Sequence, residues 1–438
     1  MKSIKVGLLG IGTVGSGTYA VLKRNQDLIS GRAGRRIDIV MVAARNVARA
    51  RTIINDSAIE VVADAMAVVN HPDIDVVVEV IGGCTLAREL VLQAIAKGKH
   101  VVTANKALLA MHGAEIFAAA EKQGVMVAFE GAVAVSIPII KALREGLAGN
   151  RIEWIAGIIN GTTNFILSEM RDRGCSFDDA LHEAQRLGYA EADPSFDIEG
   201  IDAAHKLAIM AAIAFGCHIQ FDKIHVEGIR QLQGVDIAYA ESMGYRIKLL
   251  GIAKRTSAGI EAHVHPTLIP AKRLLANVDG SMNGIMVKSD AAGVTMYYGA
   301  GAGSEQTASA VIADLVDIAR VASADQTHRV PYLGFRSNAI SATALLPITD
   351  ISASYYLRLR VADQLGVLAD VTAILAELGI SIEAMMQKEP AADEQQTDII
   401  IVTHHTKEQH IQTAVAAIEG LPTVTGKLVM LRMENLLD

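Results

Sequence analysis

Cysteine is scarce: Cys84, Cys175 and Cys217 are the only three in 438 residues, far apart and with no CxxC spacing. That leaves no disulfide framework and no cysteine zinc site, and it fits a reducing, cytoplasmic compartment. A surplus of positive charge is also missing, with a formal net charge of -8. A broad nucleic-acid surface needs clustered Lys and Arg, so nucleic acid is excluded as a partner and a small charged metabolite is not. No uninterrupted apolar run reaches the roughly 18–20 residues of a membrane span, so no membrane partner is expected. MKSIKVGLLG meets a glycine turn before a signal-peptide core can form. The thirteen histidines do not alternate with carboxylates in a metal-ligating pattern, and there is no repeat or low-complexity tract.

What is present is apolar mass: 51% hydrophobic residues alongside 20% charged ones, the balance of a large globular core. The length suggests about three domains at roughly 150 residues each. Ile4–Leu9, Ile37–Ala44, Asp75–Val80, His100–Thr103 and Val125–Glu130 read as short buried strands. Helical patterns separate them, the first from about Val14 to Leu28. Strands alternating with helices predict a parallel sheet covered on both faces. From about Gly131 to Thr295 helices mix with extended runs, as in an α+β domain, and 321–350 reads as a connector. Tyr355 to Asp438 runs strand, helix, strand, strand, helix, strand, the ferredoxin-like order. The expected layout is a Rossmann-type domain over 1–130, completed by about 300–320, then an α+β catalytic and dimerisation domain over 131–299. The connector and a C-terminal ferredoxin-like domain over 351–438 follow.

Two motifs carry chemistry on their own residues. Gly10-Ile-Gly-Thr-Val-Gly15 is GxGxxG with a strand before and a helix after. Gly10 allows the tight turn, Gly12 lets a pyrophosphate approach the backbone, and Gly15 lets the helix pack closely on the sheet. The alternative is a bare strand–helix turn. The second strand ends Ala43-Ala44-Arg45, with Arg49 and Arg51 behind, where an acid would hold the ribose of NAD. A guanidinium suits a 2′-phosphate, so NADP is favoured, with NAD open and a solvated arginine cluster as the plain alternative. The other motif is AEADPSFDIEGIDAAHK (190–206), five carboxylates ahead of one lysine at the mouth of an apolar helix. Asp202 and Lys206 stand at i and i+4, so they share a helix face and pair.

VVTANKALLA (101–110), GIINGTTNFIL (157–167), LGYAEADPSFDIEGIDAAHKLAI (187–209) and GAGAGSEQTASAVIADLVDIAR resemble the homoserine dehydrogenases. The C-terminal segment from Tyr355 is similar to an ACT regulatory domain. Essentially the whole chain is covered, in the family's order, and the 157–167 and 187–209 blocks are the most specific. The resemblance implies reversible NAD(P)H-dependent reduction of L-aspartate 4-semialdehyde to L-homoserine, in threonine, methionine and isoleucine biosynthesis. It places the proton donor on Lys206 and a second catalytic lysine on Lys106, with Asp202 beside them. Substrate binding falls on Glu191, Asp197 and Asp202. Asp193 and Glu199 read as turn and surface acids, and His205 as structural. The resemblance adds cofactor contacts at Thr13, Val14, Lys106, Gly188 and Gly303 to those read above at Gly10, Gly12, Gly15 and Arg45. The resemblance also implies a monovalent cation such as sodium, held by Glu130 and the carbonyls of Val133, Val135 and Ile137. It implies a homodimer or homotetramer, L-threonine as effector at the loop of Asp363 and Gly366, and no fused aspartokinase.

The sequence departs from the family at Val135-Ser136, where two glycines are usual. If that position needs φ > 0, a β-branched valine is strained there. Gln306 stands for a usual proline, and Leu365 for a proline before Gly366. Two other readings stay open: a related dehydrogenase with a different carbonyl substrate, and an amino-acid sensor without catalysis.

Overall fold

The computed structural model describes residues 2–387 and 395–436. The chain forms two compact units. One holds residues 1–155, 202–222 and 282–343, the other 156–201, 223–281 and 344–438.

The first unit is built on a six-stranded parallel sheet of β1 (Ile4–Leu9), β2 (Ile37–Ala43), β3 (Glu60–Val62), β4 (Val76–Glu79), β5 (His100–Thr103) and β6 (Val127–Ala128). Its spatial order is β3-β2-β1-β4-β5-β6. The strands read as unbroken β-branched runs because helices cover both faces: Val6, Leu8, Val76, Val78 and Val102 are essentially inaccessible. The chain returns to this domain late, as the helix Ser304–Val321, whose Ala308, Val311, Leu315 and Ile318 join the same core. Arg24 and Glu305 tie the return in place with two hydrogen bonds of 2.8 and 2.9 Å.

Two boundaries differ from the periodicity. The first helix stops at Arg24, and a second, Gln26–Ala33, begins at once. Asn25 breaks the run with non-helical backbone (φ -110°, ψ 21°), while the apolar period continues through Leu28 and Ile29. The sixth strand covers only Val127–Ala128. Glu130 leaves it to open a 3₁₀ turn, its N–H bonding the Asp314 carboxylate at 2.8 Å.

In the second unit, strands Tyr245–Arg255 and Ile260–Pro270 pair antiparallel over their full length. Ile260–Pro270 then pairs in parallel with Val429–Met433 through Thr267 and Leu268. Val429–Met433 carries the same sheet on into Ser352–Ala362, Gln396–Thr403 and Ile382–Gln387, antiparallel and in that order. Helices Val367–Glu377 and Glu408–Glu419 pack on it around Leu357, Leu359, Val371, Leu375, Ile399 and Ile411. That is the ferredoxin-like arrangement read from the sequence. The expected C-terminal domain is described to residue 436.

Candidate active site

The glycine loop closes as its spacing requires. Gly10 holds φ 99°, and a Cβ on Gly15 would fall 2.1 Å from the Gly10 carbonyl oxygen, so only glycine lets the helix approach the turn. Nothing lies within 4 Å of where a Gly12 Cβ would stand, which leaves that backbone open. Gly12 caps the helix Thr13–Arg24, whose first amides are the donors a phosphate needs. The loop lines a cavity of about 790 Å³, together with Ala43, Arg45 and Arg49. Arg51 is exposed on the helix Val47–Ile54 and is not among the lining residues. Gly303 has φ 138° and caps the late helix. A Cβ on it would meet the Gln306 amide at 2.1 Å, so Gln306 packs directly on this glycine.

Lys106 is placed by a chain of short contacts. Glu79, at the end of β4, is fully buried, and its carboxylate accepts from Ile81 N–H at 2.9 Å and Thr103 Oγ1 at 2.6 Å. Burial holds its pKa above the ordinary carboxylate value. Thr103 in turn accepts the Asn105 N–H, and Asn105 accepts Leu108 N–H at 3.1 Å as N-cap of the helix Lys106–Gln123. Lys106 therefore sits at the first position of an 18-residue helix, where the macrodipole disfavours a cation. The Asp202 carboxylate, 3.0 Å away, offsets this.

Asp202 opens the helix Ile201–Phe215, which is buried over almost its whole length. Its other oxygen accepts from Lys206 Nζ at 2.7 Å. One carboxylate, 3% exposed, thus faces two ammonium groups from two helices, and Lys206 is itself only 6% exposed. His205 packs against Phe221 at 4.2 Å between ring centroids, on a different face of the helix.

The second unit carries the other acids. Asp197 accepts from Asn160 Nδ2 at 2.7 Å and Thr162 Oγ1 at 3.2 Å. Asn160 caps the helix Gly161–Arg173 by accepting the Thr163 N–H. Glu191 lies on an exposed turn whose backbone carbonyls accept from Gln185, and Gly188 has φ 79° just before it. Asp193 accepts the Ser195 N–H, and Glu199 pairs with Arg230 at 2.7 Å, which is turn and surface work for both.

Val135 does adopt a left-handed backbone, φ 56°, costly for a β-branched residue. Ser136 donates to the Ala300 carbonyl at 2.8 Å. The buried Glu130 accepts the N–H groups of Ile140 and Lys141, both at 2.9 Å, and burial pushes its pKa up. Gly366 has φ 95° and caps the helix Val367–Glu377, while the Asp363 N–H bonds the Gln395 carbonyl.

Family models match in three stretches: the homoserine dehydrogenase NAD-binding domain over 10–130, homoserine dehydrogenase over 138–316, and the ACT domain over 355–423. The chain belongs to the homoserine dehydrogenase family. A homoserine dehydrogenase of Pseudomonas aeruginosa is 57% identical over 436 residues, with both chains covered completely. The crystal structure of a homoserine dehydrogenase from Thiobacillus denitrificans is 60% identical and has a TM-score of 0.95, covering 100% of this chain and 99% of that one. A hyperthermophilic archaeal homoserine dehydrogenase in complex with NADPH is 25% identical with a TM-score of 0.62, over 72% of this chain and 97% of that one. The chain is accordingly an oxidoreductase with an NAD(P)-binding domain in front and an ACT domain behind. Among the described residues no helix is long and apolar enough to cross a membrane.

Two features escaped the sequence reading. One is Lys248, buried in the second unit. It donates to Asn164 Oδ1 at 3.0 Å, the Val278 carbonyl at 2.6 Å and Asp279 at 2.9 Å. Desolvation lowers its pKa to about 8 against the pull of Asp279. The other is Asp314, 2% exposed, whose pKa burial raises to about 7. Neither has a local signal, since a lysine inside an alternating strand and an acid inside a helix both read as solvent-facing.

Proposed function

We propose that the chain reduces L-aspartate 4-semialdehyde reversibly to L-homoserine, with NADPH preferred. The observation that carries this reading is the single Asp202 carboxylate shared by Lys106 and Lys206. Hydride addition to an aldehyde builds negative charge on its oxygen, and an ammonium both neutralises that charge and supplies the proton. Lys206 is the donor, Asp202 orients it, and Lys106 adds the second positive charge. The family resemblance gives Glu191 and Asp197 to substrate binding. The contacts of Asp197 with Asn160 and Thr162 support a part in shaping that loop. Arg45 and Arg49 on the nucleotide cavity support the NADP preference. When bound, the nicotinamide supplies the hydride.

A monovalent cation would take Glu130 and the carbonyls of Val133, Val135 and Ile137. The fit is partial, because Glu130 already accepts two N–H groups and the Ile137 carbonyl accepts from Ile139 at 2.8 Å. The ACT domain supports feedback by L-threonine through the loop of Asp363 and Gly366.

The test is homoserine-dependent reduction of NADP, and separately NAD, by purified protein with and without L-threonine. Turnover with NADP preferred is the expected result, lowered by threonine. Folded protein that binds NADP yet turns over no homoserine would sink the assignment and favour a different carbonyl substrate. The strained Val135 would then be the first place to look.

A further inference from the structure

The first unit carries another cavity, of about 350 Å³ and open to solvent on one side, lined by the helix Lys106–Gln123, strand β6 and the connector from Gln326 to Ile340. Phe117, Tyr332 and Phe335 form one part of its wall, and the acids Glu121, Glu145, Asp314 and Asp317 another. Phe117 stacks on Tyr332 at 5.4 Å with 8° between the ring planes. Phe335 lies against Gly216, where a Cβ would come within 3.1 Å of the ring. The connector is pinned rather than loose: Arg329 donates to the backbone carbonyls of Gly124, Ala322 and Ala324. That guanidinium is committed to structure.

Arg144 also lines the cavity and is differently placed. Its side chain is only 10% exposed, and Glu145 takes one end of the guanidinium at 2.9 Å. Its Nε–H is buried with no acceptor among the described residues. A buried donor without an acceptor is costly, and a charged one more so. The cavity therefore sets an aromatic patch beside a nearly buried guanidinium, within the size range of small-molecule sites.

The geometry points to a second small-molecule site here, for a monocarboxylate with an aromatic or branched aliphatic body, amino acids included. The carboxylate accepts from the Arg144 guanidinium in a charge-assisted bond, and the body lies on Phe117, Tyr332 and Phe335. The buried Asp314 and the exposed Glu145 on the same wall are the groups an α-ammonium would meet.

The test is calorimetric titration of the full chain with 3-phenylpropionate, L-phenylalanine and benzylamine. Saturable binding of the acids, with benzylamine at least about tenfold weaker, is the expected result. Tighter binding of L-phenylalanine than of phenylpropionate identifies amino acids as the natural class, and the reverse identifies simple acids. Arg144→Gln should weaken the acids by about tenfold or more. Ala118→Leu places a strong helix former at an exposed lining alanine; it should close the cavity and abolish binding without unfolding the chain. No saturable binding of either acid, or binding that both variants leave unchanged, would overturn the proposal. The dehydrogenase reading would stand untouched in that case, since no residue of the glycine loop or the lysine pair lines this cavity.

Discussion

The molecule buries two lysines beside aspartates, Lys206 in one unit and Lys248 in the other, and their surroundings differ. In the first unit Asp202 meets Lys106 at 3.0 Å and Lys206 at 2.7 Å, one acid between two cations. In the second unit Lys248 spends its three donors on Asn164, the Val278 carbonyl and Asp279. An ammonium has three N–H donors, so Lys248 is saturated by groups that hold a helix and a loop together. Asp279 answers Arg171 as well, at 2.8 Å. Burial beside a carboxylate is thus no mark of catalysis. What separates the two is what the charge is used on: backbone and scaffold at Lys248, and at Asp202 a second ammonium that the macrodipole alone would reject.

Removing each ammonium breaks the comparison most directly. Lys206→Ala should lower kcat about 10³-fold, roughly 4 kcal/mol of barrier, while NADP still binds by fluorescence titration. A fall of less than about tenfold would move the proton donor elsewhere. Asp202→Asn keeps a hydrogen-bonding oxygen but removes the charge that both lysines face. It should cost about 100-fold in kcat, roughly 2.7 kcal/mol, and also lower Tm, because Lys206 is left buried without its counter-charge.

Lys248→Met should reverse the pattern, losing about 2 kcal/mol of stability in urea with kcat within about twofold of the parent. The loss comes from leaving the Asn164 and Val278 acceptors without their donor. The gap should also depend on pH. The pKa of Lys248 is about 8 in the folded chain and ordinary in the unfolded one, so above pH 8 the unfolded state binds more protons. Stability contributed at this site therefore rises from pH 8 towards 10, and parent and variant should diverge by roughly 2 kcal/mol more over that range. A gap that is flat with pH would mean that Lys248 stays charged throughout.

How much of this was legible follows from how local each signal is. The Asp202–Lys206 pair is an i, i+4 spacing on one helix, so the sequence states it outright. Lys106 reaches the same carboxylate from 96 residues earlier, and only the family resemblance suggested that the two belong together. The parallel sheet and the ferredoxin-like order were readable because buried strands and helices alternate in long runs. The break at Asn25 and the short sixth strand were not, because the first lies inside a continuing apolar period and the second depends on a bond from Glu130 to Asp314. Lys248 was invisible for the same reason: its partners at 164, 278 and 279 come together only once the strand Tyr245–Arg255 is in place.

The smallest effect is expected at the acid that mirrors Asp202. Asp279 is 39% exposed, so its pairing with Arg171 and Lys248 is partly screened by water, and Asp279→Asn should cost about 1 kcal/mol of stability with kcat unchanged. Its pKa is lowered to about 2, with partial burial opposing the shift and the hydrogen bonds of Arg171 and Lys248 outweighing it. The stabilising charge is therefore fully present above the ordinary carboxylate value near 4 and is lost as pH falls towards 2. Parent and Asp279→Asn should differ at pH 6 and converge below about pH 3, measured as Tm across that range. Asp202→Asn tested the same way should differ in turnover at pH 6, where the stability gap of Asp279→Asn is still full. If instead Asp279→Asn lowered kcat as Asp202→Asn does, the second lysine cluster would be catalytic after all, and the division between the two units would fail.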